Sequence, residues 1–111
     1  MRSPCPICAA LDLVGDKWSL LIVRDMIWLG KTRYNQFTDS PEHIPTNILA
    51  DRLKRMERFG LIQSKPYQDN PPRHEYHLTD KGLELRPVLI EMIHWANKHI
   101  PGTITPPVPI D

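Results

Sequence analysis

Hydrophobic and polar positions recur with a helical period over much of the chain. Residues 17–29 carry apolar side chains on more than one face, which predicts a helix that lies centrally in the core. Asp16 precedes this segment in the position of an N-cap, and Gly30 follows it as a stop signal. Shorter helices are predicted over residues 7–14 and 34–38. The first third of the chain is therefore predicted to be helical.

The next segment, Thr46–Arg58, has two distinct sides. Its apolar side chains fall within about 60° of one another at 100° per residue, and they are Leu49, Leu53 and Met56. The opposite side is polar and charged, with Asn47, Asp51, Lys54 and Arg58. We expect Thr46 or Asn47 to cap the free amides at the start of the segment. The pattern predicts an amphipathic helix with its polar side exposed.

A short-period pattern follows this helix. Residues 61–67 and 73–78 are typical of two strands, and the turn residues 68–72 between them predict a hairpin with a five-residue loop. Residues 80–100 are then predicted to be helical, with Pro87 bending or restarting the helix. Residues 101–111 contain four prolines, and we expect a mobile tail.

The order of these elements predicts a fold of the α+β class that is mainly α. A helix-turn-helix followed by a two-stranded β-hairpin wing is the winged-helix arrangement, and residues 1–111 have the length of a single domain. We expect the N- and C-terminal helices to flank this unit as dimerisation helices. Because winged helices also occur as protein-interaction modules without sequence-specific DNA binding, that function stays open as the alternative.

Charge and composition change this picture only modestly. The net charge is +1, but residues 31–74 hold eight Lys and Arg against five acids, whereas the rest holds six against eight. This asymmetry favours a polyanionic partner for the middle of the chain. No apolar run of 18 residues exists and the N-terminus lacks the pattern of a signal peptide, so we expect a cytoplasmic protein without membrane association.

A set of short segments follows one another in a recognisable order: Cys5-Pro6, Gly15, Lys17-Trp18, Gly30, Arg33-Tyr34, Phe37, Ile48-Leu49, Arg52-Leu53, Phe59-Gly60-Leu61-Ile62, Pro71-Pro72-Arg73, Glu75-Tyr76, Leu78-Thr79 and Gly82. With these segments the chain resembles, over residues 5–100, the HxlR-type family of bacterial winged-helix regulators. The resemblance implies a homodimeric transcriptional regulator that binds double-stranded DNA at a palindromic operator. The chain departs from the family at Asp16, where a second Gly is common, at Ile44-Pro45-Thr46-Asn47, and at the additional Cys8.

A helix in the major groove reads base edges with its first turns, and longer cations beyond them reach phosphates. The base-contact candidates are Thr46, Asn47, Ala50 and Asp51. Lys54 and Arg58 are phosphate candidates, and Arg52, at the border of the apolar stripe, either joins them or pairs with a carboxylate of the domain. Arg73 on the wing is a further DNA-binding candidate, as are Arg33, Lys17 and Lys31 at helix starts. A solvated polar surface without a partner is the alternative for all of them.

The last predicted helix has more apolar surface than one small domain covers from one side. Its candidate dimer-interface residues are Leu85, Leu89, Met92, Ile93, Trp95 and Ala96. The alternative is that this helix closes the core of its own protomer. An apolar pocket between the helix and Trp18 or Trp28 would instead indicate a small-molecule effector.

Cys5 and Cys8 are candidates for sensing oxidants or electrophiles. A thiol at a helix N-terminus is favoured as thiolate, and some members of the resembling family sense oxidants at the Cys5 position. Two inert thiols are the alternative. Zinc needs four ligands and no partner motif exists, so we expect no metal and no cofactor. Motifs for nucleotide binding, hydrolysis or metalloprotease chemistry are absent from the sequence, and an enzyme is not expected.

Overall fold

A computed structural model describes residues 3–104. The fold is mostly helical with one two-stranded antiparallel sheet, as the pattern predicts. The elements in chain order are α1 (Pro6–Val14), α2 (Lys17–Trp28), α3 (Tyr34–Phe37), α4 (Thr46–Arg58), β1 (Ile62–Asp69), β2 (Pro72–Leu78), α5 (Asp80–Leu83) and α6 (Arg86–His99). Among these residues, no helix is long and apolar enough to cross a membrane.

The central helix α2 begins where the sequence predicts. The Asp16 carboxylate accepts hydrogen bonds from the backbone amides of Trp18 and Ser19, both at 3.1 Å. The helix ends at Trp28 with Leu29 as its C-cap, and Gly30 follows with φ of 65°, a left-handed conformation that glycine adopts without strain. Ile22 and Val23 are buried between the neighbouring helices.

The start of α4 differs from the expectation. Neither Thr46 nor Asn47 caps the helix, because Pro45 occupies the N-cap position and its carbonyl accepts the Leu49 amide at 2.9 Å. The cap lacks a side-chain hydrogen bond, and Thr46 and Asn47 remain exposed in the first turn. The bounds of the helix and its apolar stripe are those predicted.

The core lies between α2, α4 and the base of the hairpin. Its most deeply buried side chains include Val23, Phe37, Leu49, Leu53, Met56 and Ile62. Leu89 of α6 also belongs to this cluster, so α6 closes the core with one of its faces. In the short helix α3, Phe37 is buried in the core whereas Tyr34 is exposed.

The hairpin is longer and its turn tighter than predicted. β1 and β2 pair from Ile62 opposite Leu78 to Asp69 opposite Pro72, which leaves only Asn70 and Pro71 at the tip, joined by a cis peptide bond. The expected five-residue loop is therefore wrong, because the turn-type residues on both sides of the tip are paired in the ladder. The amide of Tyr76 donates to the Thr32 carbonyl at 2.7 Å, which ties the hairpin to the loop after α2.

Pro87 restarts the C-terminal helix rather than bending it, since α5 and α6 are separate elements with Pro87 in the first turn of α6. Thr79 caps α5 by accepting from the Gly82 amide at 3.1 Å. Gly82 packs so closely on the wing base that an added Cβ would lie 2.1 Å from the Leu61 carbonyl oxygen. Of the predicted mobile tail, residues 105–111 lie outside the described residues.

Candidate nucleic-acid interface

The outward side of α4 gathers most of the residues predicted to contact DNA. Exposed side chains on this helix include Thr46, Asn47, Asp51, Lys54 and Arg58, and Ala50 is partly exposed beside them. The opposite side of the helix is buried in the core. The helix therefore presents one continuous polar surface, with small and acidic residues early and cations later.

Arg52 is not part of the outward cationic set. Its Nε donates to Asp16 Oδ2 at 2.8 Å, and its Nη1 donates to Asp51 Oδ2. This resolves the two predicted alternatives in favour of pairing within the domain. It also shows that the Asp51 carboxylate is partnered before any DNA is present.

Asp16 has two roles at this point of the fold. It caps α2, accepts a further hydrogen bond from Ser19 Oγ at 2.7 Å, and pairs with Arg52 of α4. Burial acts to raise the pKa of Asp16, but the hydrogen bonds from Ser19 and Arg52 outweigh it and bring the pKa to about 2. The carboxylate is therefore ionised at neutral pH and joins α2 to α4.

A second ion pair joins α2 to the turn that precedes α4. The Arg24 guanidinium donates to both carboxylate oxygens of Glu42, each at 2.8 Å. The hydrogen bond from Arg24 is the main cause that lowers the pKa of Glu42 to about 2, against a smaller opposing effect of burial. This fork fixes the approach of the chain to the N-terminus of α4.

The same network continues into the interior. Asp25 is 2% exposed, and it accepts hydrogen bonds from Arg24, Lys31 and Ser40. Lys31 Nζ lies 3.4 Å from Asp25 Oδ2 and 3.1 Å from Ser40 Oγ, so this DNA-binding candidate is engaged within the domain. Sequence reasoning missed the network. The adjacent charges Arg24-Asp25 inside an otherwise apolar helix were the signal that could have found it.

Two of the predicted DNA-binding cations, Arg73 on the wing and Arg33 at the start of α3, have different surroundings. Arg73 is exposed next to the hairpin tip, opposite Gln68. Arg33 stacks on the Tyr67 ring, with its Cζ 3.8 Å from the ring centroid, and its Nε lies 3.8 Å from Glu75. Arg33 is still 46% exposed, so it is positioned against the wing without being buried.

Hydrogen bonds fix the wing relative to α4. Glu57 accepts from the Ser64 amide at 3.0 Å and from Ser64 Oγ at 2.7 Å, and these bonds lower the pKa of Glu57. Lys81 Nζ donates to the Phe59 carbonyl at 2.7 Å, at the C-terminus of α4. Tyr34 OH donates to the Thr46 carbonyl at 2.8 Å, at the other end. Both ends of the helix are thus anchored.

The surface formed by α1 and α6 has a different character. A groove of about 800 Å³ runs between α1, α2 and α6, and its apolar lining includes Ile7, Leu11, Leu21, Trp28, Val88, Met92 and Ile93. Of the predicted dimer residues, Met92 is 51% and Trp95 62% exposed. Leu85, Ile93 and Ala96 are partly buried. Leu89 is 7% exposed and packs in its own core while it also lines the groove, so its assignment to an interface stays a prediction.

Trp18 and Trp28 have unequal surroundings. The cavity beside Trp18 has a volume of about 10 Å³, which is room for about one water molecule. The large groove lies on the Trp28 side, where Arg86 stands over the ring with its Cζ 5.8 Å from the centroid. Of these two tryptophan surroundings in residues 3–104, the Trp28 side is the one with room for a molecule larger than water.

The two cysteines lie at the start of α1. Cys5 is the N-cap residue and is exposed, Cys8 is partly buried, and both are free thiols. In residues 3–104, no group of three or more His, Cys, Asp and Glu side chains is placed to hold a metal ion.

Comparison with known proteins gives consistent matches. The family model described as HxlR-like helix-turn-helix matches residues 13–103. An HTH-type transcriptional regulator of Mycobacterium tuberculosis is 35% identical over 99 residues, which cover 89% of this chain but only 61% of the relative. The HTH-type transcriptional regulator YdeP of Bacillus subtilis is 36% identical, with 86% of this chain and 73% of YdeP covered.

Among solved structures, the redox regulator HypR in its oxidised form has a TM-score of 0.75 and 33% identity. The match covers 86% of this chain and 97% of HypR. These relatives and this structural neighbour are regulators by name, and none is named as an enzyme.

Proposed function

The chain belongs to the HxlR-like helix-turn-helix family of transcriptional regulators, and we propose that it binds double-stranded DNA sequence-specifically as a homodimer. The observation that carries the proposal is the exposed polar side of α4 next to a wing that is fixed to it. A helix of this kind fits the major groove, and a hairpin beside it reaches the adjacent backbone or minor groove.

Each exposed residue has a role suited to its chemistry. Asn47 hydrogen-bonds adenine, Ala50 contacts a thymine methyl, and Asp51 accepts from cytosine, with Thr46 beside them. Lys54 and Arg58 neutralise phosphates farther along the helix. Arg73 adds a contact from the wing, and Arg33 adds a contact to the DNA backbone from the start of α3. In this assignment, the first turns of α4 read sequence and the cations supply affinity.

The second copy of the chain is the partner proposed for the α1 and α6 surface. Exposed apolar side chains line the groove from both helices, and burial of such a surface is the usual driving force of association. A two-fold dimer would place two α4 helices in successive major grooves, about 34 Å apart, on a palindromic operator.

A gel-shift series over salt concentration tests the proposal. We expect sequence-selective binding that weakens by orders of magnitude from about 50 to 200 mM salt, because a dimer displaces counterions at about 6–10 phosphates. Asn47→Ala should relax sequence preference, whereas Lys54→Ala should weaken all duplexes alike. Equal losses on operator and scrambled DNA for Asn47→Ala would contradict base reading. No shift at any salt concentration would favour the protein-interaction alternative.

An effector is proposed to act through the α1 side of the dimer. Cys5 is an exposed thiol at a helix start, and the structural neighbour HypR is named a redox regulator, which favours oxidants or electrophiles at Cys5, with Cys8 nearby. Modification there would change the angle between the two α4 helices and so the operator affinity. A small apolar molecule in the groove beside Trp28 is the second candidate effector.

Operator affinity with and without diamide tests the redox proposal. Diamide should change the affinity of the wild type and leave Cys5→Ser unchanged, with Cys8→Ser reporting the share of the second thiol. Identical curves for the three proteins would contradict redox sensing without touching the DNA-binding proposal.

A further inference from the structure

We propose that Arg52 is a positioning residue that makes Asp51 a cytosine-selective contact. The proposal rests on the proposed function, in which α4 enters the major groove. It adds a role for a side chain that does not itself face DNA.

An aspartate on a DNA-binding surface poses an electrostatic problem. The side chain of Asp51 is 58% exposed on the side of α4 that would face a polyanion, where an unpaired carboxylate is repelled by phosphates. The Arg52 guanidinium lies in contact with this carboxylate and offsets its charge. Because Arg52 is shared with the ionised Asp16, it offsets the charge of Asp51 only in part, and this partial offset lowers the repulsion that Asp51 meets at the groove.

Arg52 can hold Asp51 because it is itself held. Its side chain is 20% exposed, and its Nε donates to Asp16 Oδ2 at 2.8 Å while Nη1 faces Asp51. The planar guanidinium has several donors in fixed directions, so it can address two carboxylates at once. A lysine has a single ammonium on a flexible stem and cannot reproduce this geometry.

The anchor of this chain of groups is the N-terminus of α2. Asp16 accepts from two backbone amides of α2 and from Ser19 Oγ, so its position is set by the helix. The N-terminus of α2 therefore holds Asp16, Asp16 holds Arg52, and Arg52 holds Asp51. Support of this kind is what a base-reading side chain needs to discriminate between bases.

The geometry also selects the base. Because Arg52 donates to Asp51 Oδ2, the other carboxylate oxygen, Oδ1, is the more open acceptor for a base. Guanine presents two acceptors in the major groove, thymine presents an acceptor and a methyl, and adenine presents an acceptor beside its donor. Cytosine alone presents an amino donor without an adjacent acceptor of its own. A carboxylate oxygen at this place should prefer cytosine.

The experiment starts with selection of duplexes bound by the wild-type protein from a random pool. The selected duplex is then varied to all four bases at each position, and affinities are measured for the wild type, Asp51→Asn, Arg52→Lys and Arg55→Lys. Arg55→Lys is the matched control, since Arg55 is another arginine of α4 that contacts Asp12 and the Phe59 ring instead. Thermal melts establish that each variant is folded.

We expect the wild type to prefer cytosine by about tenfold at one position of each half-site, the discrimination typical of a good base contact. Asp51→Asn should lose this preference, and Arg52→Lys should reduce it to less than about threefold at that position only, whereas Arg55→Lys should keep it. Asp16→Asn retains a capping oxygen and removes the anchoring charge, so it should reduce the preference by a smaller factor.

The possible failures are distinguishable. An enriched operator whose cytosine preference survives in Arg52→Lys would overturn this inference and leave the proposed function intact. So would an equal loss by Arg52→Lys at every position, which would make Arg52 merely structural. A wild-type protein that enriches no sequence would overturn the proposed function and this inference with it.

Discussion

The surface around α4 and the surface formed by α1 and α6 differ in chemical character within one protomer. Around α4 the charged groups are paired across elements, as Asp16 with Arg52 and Arg24 with Glu42. Around α6 large apolar side chains such as Trp95 remain open to solvent. Among the described residues, every buried side-chain polar atom has a hydrogen-bond partner. The charged groups around α4 find partners within one protomer, whereas the apolar side chains on α6 are left uncovered by it.

This contrast separates two kinds of mutation. Changes at the α4 surface and the core beneath it should act on the folding or the DNA affinity of each protomer. Changes at the groove should act on association first.

Truncation of the core beneath α4 should have the largest effect. Leu53 is buried in the centre of the cluster, so Leu53→Ala should lower the free energy of unfolding by about 3 kcal/mol through lost burial and a cavity. Urea unfolding at fixed protein concentration measures this. The control is Lys54→Ala, one residue away on the exposed side, where a change within about 0.5 kcal/mol is expected. A loss below about 1 kcal/mol in Leu53→Ala would contradict the packing described.

A charge in the groove should act on association. Met92→Glu places a carboxylate on an exposed apolar wall, so we expect an unchanged fold and a dimer dissociation constant raised by about 100-fold. Sedimentation equilibrium measures the constant, with Met92→Leu as the volume-conserving control. If the wild type is monomeric at micromolar concentration, or if Met92→Glu dimerises equally well, the groove is not the interface.

Low pH should weaken the ion pairs around α4 before it affects the apolar groove between α1, α2 and α6. Asp16 and Glu42 both have pKa values lowered from their ordinary values to about 2 in the folded protein, so their contribution to stability is complete above about pH 5 and is lost as the pH falls through 2. At neutral pH, Glu42→Gln should cost about 1 kcal/mol, because one partly exposed ion pair is weakened. Unfolding free energies measured from pH 5 to 2 should fall less steeply in Glu42→Gln than in the wild type, and parallel curves would refute the pairing.

The wing should contribute the smallest effect. Arg73→Ala should weaken binding to all duplexes alike, by about threefold, and lower the slope of log affinity against log salt by about 1. Lys98→Ala is the control, since Lys98 is an exposed lysine at the far end of α6. An unchanged salt slope in Arg73→Ala, or an equal change in Lys98→Ala, would remove the wing from the proposed interface.

The sequence pattern was sufficient for elements that depend on local periodicity. The bounds of α4 and its buried stripe follow from a period that only one helix register satisfies, and the Asp16 cap of α2 follows from local turn chemistry. The N-cap of α4 was the exception. Pro45 and Thr46 are both acceptable there on local grounds, and the surrounding backbone decides in favour of Pro45.

Contacts between residues far apart in the chain could not be predicted from local periodicity. Arg24 and Glu42 are 18 residues apart and meet only because α2 packs beside the turn before α4. Two interpretations of Arg52 were open from the sequence, and the position of Asp16 in the fold decides between them. Leu89 and Met92 lie on one apolar helix, and the pattern cannot tell which of them faces the protomer's own core.

The central claim is that two copies of α4 read DNA in successive major grooves. Selection of bound duplexes from a random pool tests it most directly, because half-site sequence and spacing emerge together. We expect enrichment of two inverted half-sites whose centres are one helical turn, roughly 34 Å, apart. Enrichment of a single half-site, or of no sequence at all, would contradict it.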